Sequence, residues 1–275
     1  MSRAISVLAQ LRRLSPLAAL LAAGFFACAE RRAAPQGAAA AAEESGFTPA
    51  GPGTLIPARD EQGAAVSLRV ESVEHDPRDP DGEVLLYQLS VRNPAGGWQP
   101  YCFPDPDGRT VAIPLHGSWD ASRNHVENDE ITFACTNGAL GKCVRWGYKP
   151  WKTVNGVSLA PYHQACVHMT GADYCGTGQP HTRDGTLIDL YDDLGVQKRD
   201  ASLGLPLEAA WSPSGAVYLK KPRYGETIES IVASCPERLK GHTALDAPEL
   251  DDAAIRARWP DALIFNESKI LTEKP

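Results

Sequence analysis

The residues of this chain that are best suited to chemistry lie close together, between positions 163 and 186, in the stretch HQACVHMTGADYCGTGQPHTRDGT. This stretch contains three histidines, two cysteines and two aspartates. Side chains of these types act as nucleophiles, as general acids and bases, or as metal ligands. A hydrolytic site here would use His163, Asp173 and His181 as acid–base partners. Alternatively, Cys175 would be the nucleophile.

A zinc site is the second chemistry that these residue types allow. The candidate ligands are His163, Cys166, His168 and Cys175. Their order lacks the closely spaced cysteine pair of structural zinc sites and the glutamate of a His-Glu-x-x-His helix. On a helix, His163 and Cys166 share one face, whereas His168 points away from it. We therefore predict no metal ion and no cofactor.

The same stretch also has a structural interpretation, which its spacing favours. Asp173 would accept hydrogen bonds from backbone amides at the end of a helix, and Tyr174 would pack against a sheet. Gly176 and Gly178 would then turn the chain. Catalysis needs a base within reach of a nucleophile, and the sequence has neither a Gly-x-Ser-x-Gly elbow nor a phosphate-binding loop. We therefore predict that no residue here is catalytic.

The first 27 residues have the features of a signal peptide. Three arginines form a positive region, and residues 16–27 form an apolar core that is too short to span a membrane. Cleavage before Cys28 would leave a cysteine that is acylated as in a bacterial lipoprotein. Residues 28–52, rich in Ala, Gly and Pro, would then form a flexible tether. We predict this lipid anchor, with simple signal cleavage and secretion as the alternative.

Export changes the charge balance of the chain. Because residues 1–27 hold three arginines and no acids, the remaining chain carries 24 basic against 34 acidic side chains, a net charge of −10. Binding to nucleic acid needs a basic surface that neutralises phosphates. We therefore predict no nucleic-acid partner.

Six cysteines follow Cys28, and an even number in an oxidising compartment predicts up to three disulfides. They are Cys102, Cys135, Cys143, Cys166, Cys175 and Cys235. Sequence alone does not separate the possible pairings. We favour the pairs that close short loops, which are Cys135 with Cys143 and Cys166 with Cys175. Cys102 is then left to reach Cys235.

Hydrophobic patterning predicts a single α+β domain, mainly β, from residue 53 to residue 275. Apolar and polar residues alternate at 65–73 and 83–93, as in half-buried strands. Further strands are predicted at 110–117, 131–136, 142–148, 186–192 and 215–219. Helices are predicted at 159–172 and 246–259, the second capped by Asp246. The 24 glycines and 22 prolines indicate short helices and many turns in this disulfide-stabilised domain.

Two other patterns have both a binding and a structural interpretation. The tetrapeptide Asp-Pro-Asp-Gly occurs at 79–82 and 105–108, and it predicts tight turns because neither copy has the ligand spacing of a calcium loop. The aromatic run RWGYKPW contains Trp146, Tyr148 and Trp151. Such side chains either stack on sugars or cap a hydrophobic core, and we favour the core.

Four motifs resemble the ADYC domain family, which is named for its Ala-Asp-Tyr-Cys signature. They are KCVRWGYKPW at 142–151, HQAC at 163–166, GADYCG at 171–176 and HTRDGTLIDLYD at 181–192. The resemblance extends from about Trp98 to Cys235. The family is best known from secreted or lipid-anchored proteins of myxobacteria and similar bacteria, so the resemblance implies export. It implies no particular activity, catalytic residue or ligand.

These observations predict an exported protein of the cell envelope, in the periplasm or at the outer membrane, held by a lipid anchor on Cys28. We expect a non-enzymatic binding or structural module whose partner is an unknown protein or a surface polymer. The alternative is a secreted hydrolase that uses the region of His163, Asp173 and His181.

Overall fold

The computed structural model describes residues 8–9, 50–60, 63–93, 95–183 and 185–270. The strands in these residues are β1 (Leu8–Ala9), β2 (Leu55–Arg59), β3 (Ala65–His75), β4 (Leu85–Arg92), β5 (Trp98–Pro100), β6 (Val111–Trp119), β7 (His125–Cys135), β8 (Thr153–Val154), β9 (Val157–Ser158), β10 (Thr186–Asp192), β11 (Leu207–Ser212), β12 (Gly215–Leu219) and β13 (Ile264–Ile270). The helices are α1 (Ala139–Arg145), α2 (Ala160–Gly171), α3 (Ile228–Ser234), α4 (Pro236–Leu239) and α5 (Asp252–Arg258). Strands hold more residues than helices, which confirms the predicted fold class.

Seven strands form the larger sheet, in the order β3-β2-β1-β7-β6-β4-β5. Because β3 also pairs with β4, this sheet closes into a ring, and β5 lies outside the ring against β4. β1 lies between β2 and β7. Its two residues belong to the predicted signal peptide, so cleavage of that peptide would remove a strand from the ring. The rest of the predicted signal, Cys28 and tether residues 28–49 lie outside the described residues.

The interior of the ring is filled by alternate side chains of its strands. In β2, for example, Ile56 and Ala58 are buried, whereas Leu55, Pro57 and Arg59 are exposed. Inside the ring, Tyr87 and Phe133 pack edge to face with ring centroids 5.5 Å apart. This alternation is the period of a strand with one face in a core.

The smaller sheet is antiparallel and has the order β10-β13-β11-β12. Helix α2 covers one face, where Trp211 is fully buried in the largest hydrophobic cluster. Helix α5 supplies Ile255 to a second cluster with Tyr218 and Phe265. Strands β11, β12 and β13 are therefore buried on both faces, and their sequences do not alternate.

The Asp-Pro-Asp-Gly segments are tight turns, as predicted, and each is closed by a backbone hydrogen bond from its glycine to its first aspartate. They also hold the ring against the α1 region. Arg145 of α1 donates to Asp105 over 2.8 Å, and Lys149 donates to Asp79 over 2.6 Å and to Asp81 over 2.8 Å. The hydrogen bonds from the two lysines at 149 and 152 lower the pKa of Asp81 to about 2.

The six cysteines after Cys28 form three disulfides, but not the predicted pairs. The bonds are Cys102–Cys135, Cys143–Cys166 and Cys175–Cys235. The short-loop pairing is wrong because packing of the elements, not loop length, decides which cysteines meet. Cys143 lies on α1 and Cys166 on α2, and these two helices pack against each other.

Two predicted elements differ from the structure. The strand predicted at 142–148 is helix α1, because Ala139, Leu140 and Lys142 are good helix formers that begin the element earlier. The helix predicted at 246–259 begins only at Asp252. Its N-cap is Asp251, whose side chain accepts from the amide of Ala254, so Asp246 is not the cap.

Candidate functional site

The Ala-Asp-Tyr-Cys segment begins where helix α2 ends. Ala172 has a left-handed conformation, with φ of 49°, and its amide donates to the carbonyl of Met169 over 2.9 Å. Glycine is the usual residue for this way of ending a helix. Ala172 is fully buried, so a larger side chain would have no space there.

Asp173 ties the loop that follows to the helix. Its carboxylate accepts from the amides of Thr177 over 3.0 Å and Gly178 over 2.7 Å, and from Nδ1 of His168 over 3.0 Å. The aspartate and the histidine are fully buried. The predicted structural role of Asp173 is confirmed.

The hydrogen-bond network around His168 continues to the β6–β7 hairpin of the ring. Gln164 Oε1 accepts from Trp119 Nε1 over 3.3 Å and from the amide of His125 over 3.1 Å. Its Nε2 group donates to the carbonyl of Arg123 over 2.7 Å and to Nε2 of His168 over 2.9 Å. His168 Nε2 is thus an acceptor, so the ring proton is on Nδ1 and points to the aspartate.

Tyr174 joins the same segment to the smaller sheet. Its ring stacks on Trp211 of β11 with centroids 5.4 Å apart, as predicted. Its hydroxyl donates to Glu208 over 3.2 Å and accepts from the amide of Arg223 over 2.8 Å. Burial and the nearby glutamate raise the pKa of Tyr174 well above its ordinary value, so the hydroxyl keeps its proton.

A buried ion pair lies beside this tyrosine. Arg223 and Glu208 are joined by hydrogen bonds of 2.8 and 2.9 Å, and both side chains are almost completely buried. The guanidinium also donates to the carbonyls of Met169 and Thr170 at the end of α2, over 2.7 and 3.0 Å. A buried charge needs such complete pairing, and here the pairing connects α2 to β11.

The last signature residue, Cys175, is bonded to Cys235, so it has no free thiol in this structure. Gly176 and Gly178 follow with φ of 67° and 83°, which confirms the predicted turn. A Cβ at Gly176 would overlap the carbonyl oxygen of Ser214. The turn therefore depends on glycine both for its conformation and for the close approach of another backbone.

His163, Asp173 and His181 each have separate hydrogen-bond partners in the structure. His163 is completely buried, donates from Nε2 to the carbonyl of Leu140 over 3.2 Å, and lies edge-on to Trp119. Burial lowers its pKa to about 4. No hydrogen bond or ion pair among the described residues joins any two of the three.

His181 instead lies in a surface cleft, paired with a residue that the sequence analysis did not identify. Its Nδ1 is 2.8 Å from Oε2 of Glu226. The cleft has a volume of about 430 Å³. Its lining residues are Gln179, Pro180, His181, Thr182, Arg183, Tyr224, Gly225 and Glu226. The basic stretch LKKPRYG at 219–225 directly precedes Glu226 and was the available signal for this part of the cleft. It lies about 40 residues after His181 in the sequence, so the contact was not predicted.

The aromatic run supports the core interpretation. Tyr148 is fully buried and donates to Asp192 over 2.8 Å, and Trp146 is half-buried against the largest hydrophobic cluster. Trp151 donates from Nε1 to Glu83 over 3.3 Å.

In the part of the chain that the structure describes, no three His, Cys, Asp or Glu side chains are placed to hold a metal ion. No helix of these residues is long and apolar enough to cross a membrane.

A family model described as the ADYC domain matches residues 52–225, which is more than half of the chain. The chain belongs to the ADYC domain family. The match in this ADYC protein begins before β2, well ahead of Trp98, and includes every strand of the ring except β1, together with the signature segment and strand β12. Comparison with curated proteins and with solved structures returned no match.

Proposed function

We propose that this ADYC protein is a non-enzymatic binding or structural module of the cell envelope. It is exported, acylated on Cys28, and connected to the membrane by residues 28–52. Its three disulfides fit an oxidising, extracytoplasmic location. Its partner is a protein or a surface polymer, and the net charge of −10 after residue 27 disfavours nucleic acid.

The observation that carries the proposal is the use made of the signature residues. Asp173 organises a loop, Tyr174 packs on the smaller sheet, and Cys175 is in a disulfide. Each side chain joins two parts of the domain, and none lines the cleft at His181. This supports a rigid scaffold that presents a surface, rather than an enzyme built around the signature.

The alternative, a secreted hydrolase, has less support. It needs His163, Asp173 and His181 to act on one substrate, and each has its own separate partners. Hydrolysis of a chromogenic acyl ester by the purified protein would favour this alternative if the rate fell to background in His181→Gln.

The test of the proposal is intact mass spectrometry of the protein from a lipoprotein-processing bacterial host, before and after reduction and alkylation. We expect a mass that begins at an acylated Cys28, with six cysteines that alkylate only after reduction. Cys28→Ser is the control, and it should lose the acyl mass and the membrane association together. A mass that begins at Glu30, or a thiol at Cys175 that alkylates without reduction, would contradict the proposal.

A further inference from the structure

The cleft at His181 has a floor that is fixed to the core. The amide of His181 donates to the carbonyl of Gly171 over 3.0 Å, and its ring lies 5.6 Å from the ring of Tyr174. Thr182 Oγ1 accepts from the buried guanidinium of Arg223 over 3.1 Å. Since these contacts exist before any ligand binds, little ordering is needed on binding.

One wall of the cleft presents a positive charge. The central guanidinium carbon of Arg183 lies over the ring of Tyr224, 3.7 Å from its centroid, and Nη1 donates to the tyrosine hydroxyl. Arg183 is exposed, and its guanidinium has no ion-pair partner among the carboxylates of the described residues, where its hydrogen bond goes to the hydroxyl of Tyr224. A guanidinium has five N–H donors in a planar arrangement that suits a carboxylate, and only one of them is used on the tyrosine hydroxyl. Lys221, three residues before Tyr224 in the sequence, is also exposed.

The cleft also presents a hydrogen-bond acceptor. Glu226 pairs with His181 through Oε2 and is 40% exposed, so its carboxylate is accessible to a donor from a ligand. A cleft that holds both a cation and an acceptor matches a peptide, which carries backbone N–H groups beside an acidic side chain. The face of Tyr224 under Arg183 is covered, so that face does not stack on a sugar ring.

We propose that this cleft binds an acidic segment of a partner protein, with a glutamate or aspartate carboxylate on Arg183 and a backbone N–H on Glu226. The inference rests on the proposed function, because it names the partner class of that binding module. It gives the exposed arginine of the cleft a role on a surface that is acidic overall.

The test uses the disulfide-bonded mature protein and two labelled peptides with blocked ends, Gly-Ala-Glu-Glu-Ala-Gly and its Gln-Gln counterpart. Fluorescence anisotropy measures their affinities for the protein and for Arg183→Gln. The matched control is Arg258→Gln, since Arg258 is also exposed and lies 4.8 Å from the ring centroid of Trp259, away from the cleft. Near-UV circular dichroism reports folding, and Arg183→Lys tests charge without the planar guanidinium.

We expect the glutamate peptide to bind at least about tenfold more tightly than the glutamine peptide. Arg183→Gln should lose about tenfold in affinity or more, Arg183→Lys should lose less, and Arg258→Gln should match the parent protein. Absent binding of the glutamate peptide, or equal losses in Arg183→Gln and Arg258→Gln, would overturn the inference. Binding of oligogalacturonate in place of the peptide would overturn it in favour of an acidic polysaccharide. The mass of the native protein tests the anchored module separately from all of these outcomes.

Discussion

Replacing Asp173 by asparagine should destabilise the domain although the two side chains have nearly the same shape. Asp173 accepts from three donors, which are two backbone amides and Nδ1 of His168. The ring proton of His168 cannot move from Nδ1 to Nε2, because Gln164 donates a hydrogen bond to Nε2. Gln164 is itself held by the indole of Trp119, which donates to its Oε1.

The size of the expected loss in the free energy of unfolding follows from this fixed direction of the hydrogen bonds. Asparagine has one oxygen to accept with, and its amide group then faces a donor that has no acceptor. An unsatisfied buried donor costs about 1 to 3 kcal/mol, and the loss of charge-assisted bonds adds to it. We therefore expect Asp173→Asn to lower the free energy of unfolding by about 2 to 4 kcal/mol, or the urea midpoint by about 1 M.

The assay is urea unfolding at neutral pH with the disulfides intact, followed by tryptophan fluorescence. Asp129→Asn is the matched control, because Asp129 lies on the exposed side of β7 and the substitution is the same. A free energy of unfolding for Asp173→Asn within about 0.5 kcal/mol of this control would refute the assigned network.

Three further predictions concern the same region. Gly176→Ala should sharply reduce the yield of folded protein, because it adds a clash to a positive φ, whereas Gly185→Ala, with φ of 84° and open space around it, should show only the milder backbone strain in thermal unfolding. The double variant Cys175→Ser, Cys235→Ser should lose about 4 kcal/mol of stability in urea unfolding, since it releases a loop of 60 residues; a loss below about 1 kcal/mol would contradict the loop-entropy argument. Burial lowers the pKa of His163 from 6.5 to about 4, so the unfolded chain binds the extra proton in that range and stability should fall as the pH drops from 6.5 to 4, by up to about 3 kcal/mol. His163→Gln should flatten this dependence in urea midpoints measured at pH 7 and pH 4.5, and an unchanged slope would show that other groups cause it.

Much of the signature segment could be predicted because its chemistry is local. Asp173 binds amides only four and five residues away, and glycines at 176 and 178 indicate a turn wherever they occur. The donor and acceptor directions in the hydrogen-bond network around His168 could not be predicted from the sequence. It depends on Gln164 contacting Trp119, which is 45 residues distant in sequence and belongs to the ring.

The sequence by itself determined the mainly β class, the tight Asp-Pro-Asp-Gly turns, helix α2 and the use of all six cysteines after Cys28 in disulfides. Each of these follows from the alternation of residues, from turn chemistry or from the number of cysteines in a chain that is predicted to be exported. The tertiary structure alone decided which cysteines pair. It also decided that β11 and β13, buried on both faces and without alternation, are strands. The same holds for the cleft, because His181 meets Glu226 across 45 residues, and such a contact depends on how whole elements pack.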